Sequence, residues 1–278
     1  MLTRILTALV GIPIAILVVT KGGLLFAAAI LFLALVAWHE IAAMAGTKAI
    51  HVYPCSSGVA VFLLVLAGGL AKEFFFVPIL ALGCLAVLIE GLYRHCQRGE
   101  TGWEKHTAAS AITILYVGLL FAHLPLLRQW AGQDTTILGL QFARGEALLW
   151  LVLLGTWSSD TFAYFLGMAF GKHKFCSVSP KKSLEGAVAG FIGSLLVVAG
   201  LAIGALQFPV WQAVLLGLGV AIFAPIGDLV ESILKRSFEI KDSGKLFPGH
   251  GGVLDRFDSL LFAVPVVFYL LKLFQAWN

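Results

Sequence analysis

The chain has 278 residues, of which 60% are hydrophobic and only 12% are charged. Soluble domains carry about 25% charged residues, so this composition excludes an ordinary soluble enzyme and indicates a membrane protein. The formal net charge of +4 is small, so the positions of the basic residues are more informative than their sum.

Nine apolar segments follow one another along the chain. A membrane-spanning helix needs about 20 mostly apolar residues. The segments lie near 5–20, 24–44, 52–70, 74–93, 109–127, 147–170, 186–206, 210–234 and 258–276. We therefore expect an all-α, polytopic integral membrane protein with about nine transmembrane helices. Residues 1–146 form an N-terminal region of about five spans, and residues 147–278 form a C-terminal region that carries the polar motifs.

The basic residues predict the orientation of the chain. With nine spans, one side of the membrane holds 14 of the 19 Lys and Arg residues, and the other side holds 5. Cytoplasmic connections carry the excess of Lys and Arg. The N-terminus and the loops 171–185 and 235–257 are therefore expected in the cytoplasm.

The eighth segment carries four polar side chains on one helical face. They lie at i, i+3, i+4 and i+7 and are Asp228, Glu231, Ser232 and Lys235. Carboxylates inside an apolar span are costly, and they usually face a wet cavity or a partner. The structural alternative is an ion pair between Glu231 and Lys235.

A glycine-rich basic stretch, KDSGKLFPGHGG, follows this helix. Its glycines let backbone N–H groups approach phosphate oxygens closely, and Lys241 and Lys245 add positive charge. The next residues, LDRFDS, contain Asp255, Arg256 and Asp258. Helix capping is the alternative role for Asp258. The loop could fold Asp255 back toward Asp228, and carboxylates from two helices suit Mg²⁺ bound to phosphate.

A second basic turn precedes the seventh segment. Asp160 lies in the apolar helix before the turn, and Ser183 begins the helix after it. A helix N-terminus flanked by lysines such as Lys181 and Lys182 is a ready anion site. Anchoring by positive charge on the cytoplasmic side is the alternative. Cations and carboxylates together, beside apolar spans, predict a polyphosphate bound through metal ions where a lipid phosphate can reach it.

The C-terminal motifs resemble the signature of one enzyme family, the phosphatidate cytidylyltransferases (CDP-diacylglycerol synthases). The matching positions are Ser232–Arg236, Lys241–Asp242, Gly244, Phe247–Pro248 and His250–Asp258. Ser179–Gly186 resembles the family's other common segment, with Ser183 where Thr is frequent and Leu184 where Trp or Phe is frequent. Asp160–Tyr164 also fits. The resemblance covers roughly residues 155–260.

The resemblance implies a reaction in phospholipid biosynthesis. Phosphatidic acid and CTP give CDP-diacylglycerol and pyrophosphate with Mg²⁺. It implies an all-helical homodimer in a bacterial-type cytoplasmic membrane, with its active site facing the cytoplasm and no nucleic-acid partner. The resemblance implies that Asp228 and Asp255, which match the metal-binding acids of the family, bind the metal ions. Asp160, Glu231 and Asp258 are further candidates.

The remaining site residues are expected to handle phosphates and the nucleotide. Candidate catalytic residues besides the two aspartates are Lys235, Arg236, Lys241, His250 and Arg256. Candidate substrate-binding residues are Ser179, Lys181, Lys182, Ser183, Ser232, Gly251 and Gly252. Two alternatives stay open: a CTP-dependent lipid kinase acting on a polyprenol-type alcohol, and a secondary transporter with acidic ion sites.

Overall fold

The computed structural model describes residues 2–137, 139–174, 176, 179 and 182–277, without the side chains of residues 2–6 and 8. It is an all-α protein with one small β-hairpin. The helices are α1 (Leu2–Lys21), α2 (Gly23–Gly46), α3 (Pro54–Gly69), α4 (Phe76–Arg98), α5 (Trp103–Thr113), α6 (Leu120–Arg128), α7 (Arg144–Phe170), α8 (Leu184–Gly204), α9 (Val210–Ser237) and α10 (Leu254–Trp277).

Short irregular elements complete two of these helices. A 3₁₀ turn, Glu73–Phe75, leads into α4, and a π-helical turn, Ile114–Leu119, joins α5 to α6 as one continuous rod. Each of the nine apolar segments therefore overlaps one helix or helical rod, and the prediction of an all-helical chain is confirmed. The hairpin pairs β1 (Thr135–Ile137) with β2 (Leu140–Phe142) in antiparallel register.

The chain is a multi-pass helical membrane protein. Within the described residues, six helical stretches are long and apolar enough to cross a bilayer: Gly23–Gly46, Glu73–Arg98, Trp103–Arg128, Leu184–Gly204, Val210–Ser237 and Leu254–Trp277. Leu9–Lys21 and Pro54–Gly69 are apolar but shorter. Large apolar side chains lie on the outside, with Leu24 85% and Phe74 81% exposed, as lipid-facing residues would be.

The chain forms two compact units. Unit 1 comprises the described residues up to Leu126 together with Ser237–Arg256. In this unit α3 packs against α2, α4 and the π-helical turn. The fully buried side chains Leu64, Ile114 and Phe121 lie in its core.

Unit 2 comprises Leu127–Arg236 and the described residues from Phe257 onward. Its most extensive packing is between α7 and α8, where Ser194 Oγ donates to the Gly155 carbonyl at 2.9 Å. The hairpin is attached to the end of α8 by Thr135 Oγ1, which donates to the Ala205 carbonyl at 2.9 Å.

The division of the chain expected at residue 146 stays a prediction, and the two compact units are a separate observation. The polar loop after α9 packs in unit 1, with helices from the N-terminal part of the chain. The physical reason is a set of hydrogen bonds from the loop to Glu40 on α2, described below.

Candidate functional site

The polar face of α9 forms as the spacing predicts. Asp228, Glu231, Ser232 and Lys235 all lie within the helix. Glu231 is 1% exposed and forms an ion pair with Lys235 one turn later. This is the structural alternative that the sequence left open for these two residues. The Glu231 side chain is 1% exposed, whereas that of Asp228 is 27% exposed, so Glu231 is the weaker candidate for a metal ligand.

Gly227 allows α10 to approach the helix beside Asp228. A Cβ atom at position 227 would collide with the backbone carbonyl of Asp258 and with the ring of Phe262. The absence of a side chain therefore sets the spacing of α9 and α10 in unit 2. Asp258 lies in α10 beyond its first turn, and its Oδ1 accepts from the Ser259 N–H at 2.6 Å, so capping does not explain this residue.

Lys182 lies among carboxylates in unit 2. Its ammonium group forms an ion pair with Asp228. Burial lowers the pKa of the Lys182 amine, and the negative charges of Asp160 and Asp258 oppose that shift. Lys182 thus pairs with one of the predicted acids, Asp228 from α9, and is influenced by the charges of two others, Asp160 from α7 and Asp258 from α10.

The N-terminus of α8 is capped by the side chain of the residue that precedes the helix. Ser183 Oγ accepts from the Gly186 N–H at 3.1 Å, so the predicted helix start is confirmed. Glu185 organises the preceding basic turn, because its Oε2 accepts from the Lys172 N–H at 3.0 Å. The Ser179 carbonyl accepts from the Lys182 N–H at 3.0 Å. Lys181 lies outside the described residues.

The glycine-rich loop in unit 1 folds into a tight turn. The Phe247 N–H donates to the Gly251 carbonyl at 3.0 Å, and the His250 N–H donates to the Phe247 carbonyl at 2.8 Å. Gly249 and Gly251 have φ angles of 79° and 88°, which only glycine adopts readily. The predicted break in helical structure before α10 is therefore confirmed.

Asp255 is held by this loop rather than projecting from it. Its Oδ2 accepts three hydrogen bonds, from Ser243 N at 2.8 Å, Ser243 Oγ at 2.9 Å and Gly252 N at 2.8 Å. Such a set of donors stabilises the ionised carboxylate. A Cβ atom on Gly251 would collide with the Asp255 carboxylate, so this glycine has a structural function in addition to any contact with phosphate.

Glu40 on α2 is a site residue that the sequence analysis missed. It is 5% exposed. Its Oε1 accepts from Val253 N at 2.8 Å, and its Oε2 accepts from Leu254 N and Ser243 Oγ, both at 3.0 Å. The available signal was a carboxylate inside an apolar span, which usually has a function. The sequence could not supply its partners, which lie more than 200 positions away.

The remaining predicted cations lie on the surface of their own units. Arg236 in unit 2 is exposed, and Lys241, Lys245 and Arg256 in unit 1 are exposed as well. Exposed cations at the ends of apolar helices can neutralise phosphate groups that arrive from water. Lys235 differs, because its charge is already used by Glu231.

The acidic residues are compatible with Mg²⁺. Among the described residues, no three His, Cys, Asp or Glu side chains converge to enclose a metal ion by themselves. Mg²⁺ does not require such a cage, since it is usually bound by one or two carboxylates together with water and substrate phosphates. The carboxylate oxygens of Asp228 are hard ligands, and they already pair with a cation, the Lys182 ammonium group.

Known proteins resemble this chain over almost all of its length. The model of the cytidylyltransferase family matches residues 2–274. A phosphatidate cytidylyltransferase of Synechocystis sp. is 32% identical, with 97% of this chain and 96% of the relative covered. One from Staphylococcus saprophyticus is 31% identical, with 98% and 99% covered. One from Bacillus subtilis is 45% identical over 43% of this chain and 45% of its own. The chain belongs to the cytidylyltransferase family.

Proposed function

We propose that this chain is a phosphatidate cytidylyltransferase, a nucleotidyltransferase that condenses CTP with phosphatidic acid to give CDP-diacylglycerol and pyrophosphate. The observation that carries the proposal is the match to the family model over residues 2–274, joined by relatives of this name that align over nearly their full lengths. The described site residues fit the chemistry, because both units combine carboxylates with cations.

The reaction needs no nucleophile from the protein. A phosphate oxygen of phosphatidic acid attacks the α-phosphorus of CTP, the bond to the β-phosphate oxygen breaks, and pyrophosphate leaves with that electron pair. Such transfers depend on positioning and on neutralising negative charge. Lys182, Lys241 and Arg256 are suited to neutralise phosphate oxygens. Lys235 and Arg236 are candidates for the same function, although Lys235 already forms an ion pair with Glu231.

Hydrogen-bond donors near these cations are proposed to position the nucleotide. The backbone at Gly251 and Gly252 can approach a triphosphate. His250 can donate a hydrogen bond to the pyrophosphate. Ser179, Ser183 and Ser232 are further candidate donors, together with Lys181, a cation that lies outside the described residues. Capping of α8 uses the Ser183 hydroxyl oxygen as an acceptor and leaves its O–H available to donate.

We propose that the carboxylates of Asp228 in unit 2 and Asp255 in unit 1 bind metal ions. For each residue, the proposal rests on its surroundings within its own unit. Asp160 and Asp258, whose negative charges act on Lys182, are secondary candidates, and Glu231 ranks last because its side chain is 1% exposed. Mg²⁺ would neutralise charge that develops on the phosphate oxygens. Lys182 would then exchange Asp228 for a substrate phosphate.

The proposed setting is a bacterial-type cytoplasmic membrane. All nine helical segments would span it, with the loops 171–185 and 235–257 and the active site facing the cytoplasm, where CTP is available. The positive-inside distribution of Lys and Arg supports this orientation. We also propose a homodimer, as the family resemblance implies.

Product analysis tests the proposal. Purified protein in detergent receives phosphatidic acid, Mg²⁺ and CTP labelled on either the α- or the γ-phosphate. We expect α-label in CDP-diacylglycerol and γ-label in pyrophosphate, in equal amounts. The Asp228→Asn variant, prepared in parallel, controls for contaminating enzymes. In a parallel reaction with a polyprenol-type alcohol in place of phosphatidic acid, release of CDP with the phosphorylated alcohol would instead identify a CTP-dependent kinase. The absence of CTP turnover in both reactions would leave the transporter alternative.

A further inference from the structure

Glu40 caps α10 from a different helix. Val253 immediately precedes α10 and Leu254 is its first residue. Their N–H groups donate to the two carboxylate oxygens of Glu40 at 2.8 and 3.0 Å. The first N–H groups of a helix have no partner within the helix, and negative charge is favourable there. The carboxylate on α2 therefore fixes where α10 begins.

Ser243 connects this cap to Asp255. Its hydroxyl oxygen lies 3.0 Å from Glu40 Oε2 and 2.9 Å from Asp255 Oδ2, while its N–H donates to the same Asp255 oxygen. A hydroxyl group has a single proton, so it can donate to one carboxylate at a time. When the hydroxyl group donates to Glu40, the Ser243 N–H still donates to Asp255, so one residue of the loop contacts both acidic side chains.

Glycines clear the space that this arrangement needs. A Cβ atom on Gly244 would collide with the Glu40 carboxylate, and one on Gly252 would collide with both Glu40 and Ser243. Gly244 and Gly252 therefore leave the space that the buried Glu40 carboxylate occupies within the loop. Glu40 itself is 5% exposed, so it is poorly placed to touch a substrate.

We propose that Glu40 is a positioning residue for nucleotidyl transfer, which holds the start of α10 directly and orients the Asp255 carboxylate through Ser243. The proposal rests on the function proposed above, because that function gives Asp255 its importance. A carboxylate in an apolar span is otherwise costly, and the hydrogen bonds to a loop rich in cations explain why it is present.

The main test compares Glu40→Ala, Glu40→Gln and Ser243→Ala with Lys48→Ala. Lys48 pairs with Glu239, so the control removes an exposed contact between the same two segments of unit 1 without touching Asp255. We expect kcat to fall 10- to 100-fold in Glu40→Ala and about 10-fold in Ser243→Ala, with KM for both substrates within threefold of wild type. Glu40→Gln should recover part of kcat because it keeps one acceptor oxygen. Lys48→Ala should stay within twofold.

Hydrogen exchange provides a readout that does not depend on activity. In detergent without substrates, the Val253 and Leu254 amides should exchange at least tenfold faster in Glu40→Ala than in wild type, and at the wild-type rate in Lys48→Ala. If Glu40→Ala does not fold, Glu40→Gln and Ser243→Ala carry both measurements.

A double variant tests the connection through Ser243. If Glu40 acts partly through this serine, Glu40→Gln combined with Ser243→Ala should lose less kcat than the product of the two single losses. Independent effects that multiply would overturn the connection. Wild-type kcat in folded Glu40→Ala, or unchanged exchange, would overturn the positioning role. An inactive wild type would refute the proposed function instead, while the exchange result would still decide whether Glu40 anchors the loop.

Discussion

Replacing Asp255 by asparagine separates the charge of this residue from its hydrogen bonds. Asn has nearly the same shape, and its carbonyl oxygen can take the position of Oδ2, which accepts from Ser243 N, Ser243 Oγ and Gly252 N. The loop should therefore keep its fold. The negative charge that we propose for metal binding is lost.

The structure sets the expected cost to stability. Hydrogen bonds to a charged group contribute about 1.5–3 kcal/mol each and neutral ones about 0.5–1.5 kcal/mol, so each of the three bonds should weaken by about 1 kcal/mol. The free energy of unfolding should fall by about 3 kcal/mol at most, which corresponds to a decrease in melting temperature on the order of 5–10 °C. The variant should remain folded at 25 °C.

The expected cost to catalysis is separate and comparable in size. Removing one group that stabilises developing charge lowers the rate about 10²- to 10³-fold, and a metal ligand can contribute more. The assay measures CDP-diacylglycerol formation at 25 °C, with the folded fraction measured by thermal unfolding in the same detergent. Glu239→Gln is the matched control, because it removes the same charge from an exposed position in the same loop that lies outside the matching positions of the family signature, and it should stay within twofold of wild type.

Two results would refute this reasoning about Asp255. Turnover near the wild-type rate in a folded Asp255→Asn variant would remove the residue from the metal-binding candidates. A loss of activity that follows the loss of folded protein would show that Asp255 only maintains the loop. The Glu239→Gln result guards against a third explanation, a general effect of changing the charge of the loop.

Three further outcomes are expected. Ser183→Ala should lower the free energy of unfolding by about 1 kcal/mol because α8 loses its cap, and Ser183→Gly by only a few tenths; thermal unfolding at the wild-type temperature in Ser183→Ala would contradict the capping role. Single cysteines at Lys174 and Lys245, in a cysteine-free background, should react with an impermeant thiol reagent only from the cytoplasmic side, and labelling of either from outside would reverse the proposed orientation. The denatured chain should retain no label after incubation with α-labelled CTP alone, since transfer is direct; retained acid-labile label that disappears in His250→Gln would make this histidine a nucleophile.

The sequence alone determined the secondary structure to a large extent. Apolar runs of helical length predicted every long helix, because a chain in a bilayer must satisfy its backbone hydrogen bonds internally. Local chemistry also predicted the start of α8 at Ser183 and the break at Gly249 and Gly251, since a side-chain cap and a positive φ depend on neighbouring residues only. The i, i+4 spacing also offered the ion pair between Glu231 and Lys235 as an alternative to a functional role, and the structure contains that pair.

Only the tertiary structure decided the partners of the charged groups. Helical spacing places Asp228 on a face of α9 but does not show that Lys182, from a different loop, occupies that face. Glu40 looked like one carboxylate in an apolar helix until the loop more than 200 residues later supplied its donors. Hydrophobic periodicity has no information about such pairs, because burial of a charge depends on groups that packing brings together from distant parts of the chain.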